Sequence, residues 1–368
     1  MRLLSTLLAA ASTAAMLAAA PLVRADAFLD QAKATVAAAT GRADKWDGPT
    51  MGPKAVAGKT VVYIAADLRN GGIQGVANGF QEAAKLIGWD ARVIDGQGSV
   101  SGIDSAFGQA VALKPAGIVI GGFDILQNAA KIEDASKAGI KVVAWHGAPK
   151  PGPVDGTAVL FNVTTDSAKV AEVAAMYAIA QSDGKAGVVV FTDSAYAIAL
   201  SKARAMEDVV KKCAGCTVLS FEDSPLADAS GRMPQLTTSL LQRLGDKWTY
   251  SLAINDLYFD FMGASLVSAG KDPAGTPYNI SAGDGSESAY ERIRTGQFQA
   301  ATVPEPLSLQ GWQLVDELNR AFANDKQSGY FAPVHLVTKA NIEFDGGPKN
   351  IFDPDNGYRD AYRKIWGK

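Results

Sequence analysis

The chain has 368 residues, of which 48% are hydrophobic and 20% charged, with a net charge of −3. Those values exclude a disordered, collagen-like or multispan membrane chain and leave room for two domains. No basic stripe is present, which argues against nucleic acid as a partner.

Residues 1–27 read as a secretory signal peptide. Arg2 is followed by an apolar, Ala-rich run from Leu3 to Pro21. Small residues then offer cleavage at Val23-Arg24-Ala25 or Ala25-Asp26-Ala27. No Cys lies near that region, so no lipid anchor is expected. No later apolar run approaches ~20 residues, so the mature chain is expected to be soluble. Residues 28–58 form an N-terminal extension. Phe28 to Thr40 suits a short helix, and the Gly-, Pro- and Lys-rich stretch from Gly41 to Gly58 suits a loop.

From Lys59 the pattern is regular. Thr60 to Ala66 is a continuous apolar run, as in a parallel strand covered on both faces. Ile73, Val76, Ala77, Phe80, Ala83, Ala84 and Ile87 recur at helical spacing. Strands are then expected at 91–94, 117–120 and 141–145, with helices at 103–113 and 125–138 between them. The alternation continues with strands at 157–161, 187–191, 217–221, 250–254, 278–281, 300–303 and 335–338. The intervening helices are expected at 166–181, 195–212, 233–244, 258–268, 286–295 and 309–322.

Such alternation predicts an α/β fold of doubly wound parallel sheets. The number of units calls for two lobes. Ligands of parallel sheets bind beyond the carboxyl ends of the strands, which directs attention to the loops after them.

The first such loop carries Asp67, Arg69 and Asn70 and ends at a helix N-terminus. A carboxylate, a guanidinium and an amide together suit a polyhydroxyl ligand, although Asn70 also suits a plain helix cap. The following loops supply Phe123-Asp124, Trp145-His146, Asp193 with Tyr196, Asn255-Asp256, Asp284 and Glu305. An aromatic beside a polar group can stack on the C–H face of a sugar while the polar group takes hydroxyls. Gly71-Gly72 lacks dinucleotide-loop spacing, no P-loop is present, and no cofactor is expected. His146 and His335 are the two histidines, and neither stands at metal-ligand spacing to another His, so no metal site is expected. Cys213-Ala-Gly-Cys216 has redox spacing, but in an exported chain it reads as a local disulfide closing a turn. No Gly-x-Ser-x-Gly elbow is present. Nothing pairs an acid with a nucleophile, so a binding protein is expected and not an enzyme.

From about Lys59 to Lys339 the chain resembles the ribose/galactose-type periplasmic binding proteins, which share a fold with lactose-repressor-like ligand-binding domains. The markers are Asn70 with Gly79-Phe80, Lys202-Ala-Arg204, Ala253-Ile-Asn255-Asp256, and Gly283-Asp284-Gly285 followed by Ala300-Ala-Thr302-Val303. The resemblance implies two lobes joined by a three-strand hinge, a type I periplasmic binding protein, with crossings near His146-Gly147, near Asp284 or Glu305, and near Tyr330 to Pro333. The first lobe then comprises residues 59–146 plus 306–332, and the second 147–305 plus 333–368. It also implies ligand contacts from Arg69, Asn70, Ile73, Asp124, His146, Lys202, Asn255, Asp284 and Glu305. His146, Lys202 and Glu305 stand where the family often has Asp, Arg, and Gln or Asn. The implied role is capture of a sugar, polyol or sugar derivative for an inner-membrane ABC permease, by a monomer in the periplasm. Presentation to a chemoreceptor or sensor kinase is the alternative role. A small carboxylate or other non-sugar metabolite is the alternative ligand.

Overall fold

The computed structural model describes residues 27–368. The expected signal segment lies outside these residues apart from residue 27, where the described helix begins. That helix, α1, runs over 27–39. The first lobe follows with β1 (Thr60–Ala65), α2 (Gly71–Leu86), β2 (Asp90–Asp95), α3 (Val100–Ala112), β3 (Gly117–Gly121), α4 (Ala129–Lys137), β4 (Lys141–Trp145) and β5 (Val159–Val163). The second lobe holds α5 (Ser167–Gln181), β6 (Gly187–Thr192), α6 (Ala197–Lys212), β7 (Thr217–Asp223), α7 (Ala229–Leu244), β8 (Tyr250–Ala253), α8 (Leu257–Asp260), α9 (Gly263–Ser268), β9 (Tyr278–Ser281), α10 (Glu287–Thr295) and β10 (Gln299–Thr302). The chain closes with α11 (Leu307–Phe322), β11 (Val337–Thr338), α12 (Ile342–Asp345) and α13 (Tyr358–Trp366).

Two sheets result. The first has the order β2-β1-β3-β4-β5 and is parallel throughout. The second has the order β11-β10-β9-β8-β6-β7, parallel except for β11, which runs antiparallel to β10. Apolar strands form the centres because helices cover both faces. Val61 to Ala65 and Val188 to Phe191 are fully buried. Helix starts follow the capping residues: Asn70, Ser99, Asp166 and Ser286 each accept a backbone N–H of the first turn.

Several expected elements shift. Residues 125–128 form a turn, because the Asp124 carboxylate accepts the Gln127 N–H at 2.9 Å, and α4 begins only at Ala129. The helix expected at 258–268 is broken into α8 and α9. The expected lobe division needs two corrections. β5 hydrogen-bonds to β4, so the first lobe continues to Val163 and the crossing falls at 164–166 instead of 146–147. Helix α13 buries Tyr358, Tyr362, Ile365 and Trp366 in the first lobe's core, so the tail returns there after β11.

The extension adds a further crossing. Helix α1 buries Ala32 and Ala39 in the second lobe's core, while Trp46 packs against the first. With the return before α13, five segments join the lobes where three were expected. The buried helix α11 anchors the extension. Asn319 Oδ1 accepts the Val56 N–H at 2.9 Å, and Arg320 donates to the Met51 carbonyl at 2.7 Å. Arg320 is itself paired with Asp316 at 2.6 Å, which also accepts from Trp366 Nε1 at 2.9 Å. Helices α2 and α11 approach closely at Gly79, where a Cβ would lie 2.6 Å from the Ser308 carbonyl oxygen.

Cys213 and Cys216 form a disulfide at the end of α6. Closing so short a loop removes little entropy from the unfolded chain. Replacing both cysteines by serine is expected to lower unfolding free energy by about 2 kcal/mol. Urea denaturation measures this, and a loss of folding at 25 °C would contradict it.

Candidate functional site

The loops after the strands of both sheets converge on one cavity of about 330 Å³. Its first-lobe wall is built by Asp67, Arg69, Asn70, Ile73, Trp145 and His146. The second lobe supplies Tyr196, Lys202, Asn255 and Asp284, together with a set of apolar side chains. Four expected residues lie outside the lining. Phe123 is a core side chain, 2% exposed. Asp124 caps its own turn. Asp193 is buried and accepts the Ala195 and Leu226 N–H groups at 3.0 and 2.9 Å. Glu305 lies behind His146.

Most polar groups at the cavity are already held. Arg69 clasps Asp67 bidentately, with Nε 2.9 Å from Oδ1 and Nη2 2.7 Å from Oδ2. Asn70 Oδ1 accepts the Gly72 and Ile73 N–H groups of α2 at 2.9 and 3.3 Å, which leaves its amide N–H₂ for the cleft. Lys202, 4% exposed, donates to the carbonyls of Ile254 at 3.2 Å and Ala282 at 2.6 Å. Two of its three N–H donors are thereby used on strand-end carbonyls. Asn255 donates to Asp284.

Asp284 is buried against α2 of the opposite lobe. A Cβ on Gly72 would meet its carboxylate at 2.5 Å, so the approach requires glycine there. The helix N-terminus favours the negative charge. Behind this loop, the buried Asp256 accepts the Gly285 N–H at 2.9 Å and Gln299 Nε2 at 2.7 Å. Burial pushes its carboxyl up, Arg292 and Gln299 pull it down, and the result is about 6.

His146 is the best-supported side chain of the cavity. Its ring stacks on Trp145, with centroids 3.9 Å apart and planes within 7°. Its Nε2 is 3.0 Å from Glu305 Oε1, and its Nδ1 stands 4.0 Å from Asp284 Oδ1. Glu305 is 2% exposed and accepts the Thr165 N–H at 3.2 Å, the Thr165 hydroxyl at 2.6 Å, and Gln310. Gln310 accepts from Trp145 Nε1 at 2.7 Å, which closes a ring of contacts. Burial pushes the Glu305 carboxyl up. The His146 charge and the donors from His146, Thr165 and Gln310 outweigh burial and hold it down at about 2. An ionised Glu305 only accepts, so Nε2 carries a proton and Nδ1 is the nitrogen turned toward Asp284. His146 and Asp284 both sit in the left-handed region, with φ of 51° and 61°. Each such backbone costs on the order of 1–3 kcal/mol, which the surrounding bonds must offset.

Ile198, Leu226, Ala227, Ser230, Leu257 and Phe261 also line the cavity and are not among the polar strand-end residues expected from the sequence. Leu226, Ala227 and Ser230 follow β7, so the same strand-end rule reaches them. Their apolar or small side chains gave no chemical signal. Among the described residues, no group of three or more His, Cys, Asp or Glu is placed to hold a metal ion.

A two-lobed α/β protein with a cavity walled by the strand ends of both lobes is built to close on a small ligand. The model of a periplasmic binding protein domain matches residues 61–326, and the chain belongs to that family. Among curated proteins no sequence matches it. Similar solved structures include a sugar ABC transporter protein from Yersinia enterocolitica, with TM-score 0.72, 15% identity and coverage of 87% of this chain and 99% of that one. A carbohydrate transporter solute binding protein from Agrobacterium radiobacter, in complex with D-arabinose, has TM-score 0.68, 22% identity and coverage of 80% and 98%. A glucose-galactose binding protein from Geobacillus stearothermophilus has TM-score 0.68, 19% identity and coverage of 77% and 98%. At these identities the likeness establishes the type I periplasmic binding protein fold.

The Glu305 environment sets an acid limit on stability. A carboxyl held at about 2 in the fold and near 4.5 when unfolded contributes fully above pH 4.5. That contribution, on the order of 3 kcal/mol, is lost as pH falls from 4.5 toward 2. Glu305→Gln is expected to flatten the stability profile in that window, as read by urea denaturation at stepped pH. An unchanged slope would contradict the assignment.

Proposed function

We propose that this chain captures a sugar, polyol or sugar derivative between its lobes and delivers it to an ABC importer. The observation that carries this reading is a cavity walled by strand ends of both lobes. A ligand touching both walls interacts more strongly with the closed arrangement than with the open one. It therefore shifts the population toward closure. Asp284, Asn255, His146 and Asn70 offer acceptors and donors from both sides, as hydroxyls require. The D-arabinose complex of the Agrobacterium protein supports the ligand class by similarity of fold. The chain works as a monomeric binder in the periplasm, exported by its N-terminal signal segment, and performs no chemistry on its ligand.

A thermal-shift panel of sugars, polyols, sugar acids, amino acids and aromatic acids tests the ligand class. A sugar-like compound is expected to raise the melting temperature. A response to another class alone would sink the sugar reading. In titration calorimetry with the best responder, Asp284→Ala is expected to weaken binding by about 1–3 kcal/mol. Unchanged affinity would remove Asp284 from the site.

A further inference from the structure

We infer that the ligand of this cleft carries an apolar alkyl or aryl substituent on its hydroxylated part, as a glycoside does. This rests on the sugar-type reading above and narrows it. The cavity is divided in chemistry. Polar groups cluster around His146, Asn70, Asn255 and Asp284. Much of the remaining second-lobe wall consists of Ile198, Leu226, Ala227, Leu257 and Phe261.

None of these five side chains is sealed in the core; all are partly or fully exposed along the cavity. They come from three places: the first turn of α6, the turn before α7, and α8 with the residue after it. Nearby backbone donors are already used. The Leu226 N–H is held by Asp193 at 2.9 Å, and the Leu257 N–H by Asn255 Oδ1 at 2.9 Å. Lys202 on the same side has two donors on strand-end carbonyls, and the hydroxyls of Tyr196 and Ser230 are the other polar groups of this wall.

A bare sugar ring presents hydroxyls around its whole edge. Hydroxyls pressed against five apolar side chains would lose water and gain no partner. An apolar substituent meets that wall at no such cost and gains from leaving water. The cavity measures about 330 Å³, and a second of about 480 Å³ shares Arg69, Asn255, Leu257 and Asp284 with it; both fall in the range for small-molecule sites, roughly 300–1,000 Å³.

Titration calorimetry on the full mature protein with matched ligands provides the test. The probes are D-glucose, D-galactose and D-arabinose, each beside its n-propyl and phenyl glycosides in both anomers. At least one glycoside is expected to bind tenfold or more tightly than its parent. Parents that bind as tightly as, or more tightly than, all their glycosides overturn the inference while the sugar reading stands. Silence from parents and glycosides alike sinks both. Phe261→Ser and Ile198→Ser, each first checked for cooperative melting, are expected to shrink the glycoside-to-parent affinity ratio toward one. A ratio unchanged in both variants would show that the wall packs against the first lobe on closure, and would overturn the inference.

Discussion

Glu305 lies where the chain passes from β10 into α11, sealed from water between the lobes. Its carboxylate receives hydrogen bonds from Thr165 on another crossing, from Gln310 on α11, and from the His146 ring at the cleft. A buried charge survives only when such partners satisfy it. The geometry of the cleft follows from meeting that requirement. His146 is fixed in orientation, Trp145 is pinned through Gln310, and the left-handed backbone at His146 is held in place. A ligand that touches His146 is thus one side chain removed from two of the segments that join the lobes.

The rest of the cleft follows the same economy of donors and acceptors. Asp67 and Arg69 satisfy each other, Asn255 and Asp284 satisfy each other, and Lys202 satisfies two strand ends. The groups left for a ligand come from both lobes, and apolar side chains make up much of the second-lobe wall beside them. A site of this kind discriminates by which polar groups it leaves unpaired as much as by those it engages.

The two terminal regions add two connections between the lobes to the three expected. The extension and the tail each begin on the second lobe and end on the first. Their ends are clamped by the polar residues of α11 and by the aromatic stack of Trp46, Trp312, Tyr358, Tyr362 and Trp366. Five connections thus join the lobes among the described residues, where three were expected.

The sequence by itself determined the strand–helix alternation and the two parallel sheets. Apolar runs such as Val61 to Ala65 have nowhere to go except the centre of a covered sheet. It also determined the strand-end loops, from which Asn70, His146, Asn255 and Asp284 were legible as cleft residues, while Lys202 on α6 was implied only by the family resemblance. Tertiary structure decided what those residues were free to do. Asp193 and Glu305 look like ligand groups in the sequence, but the fold turns them to Leu226 and His146. The apolar wall escaped notice because Leu226 or Phe261 carries no local sign of facing a cavity instead of a core. The lobe boundary shifted for a similar reason. Whether β5 joins one sheet or the other depends on long-range pairing with β4, and strand propensity is indifferent to the partner.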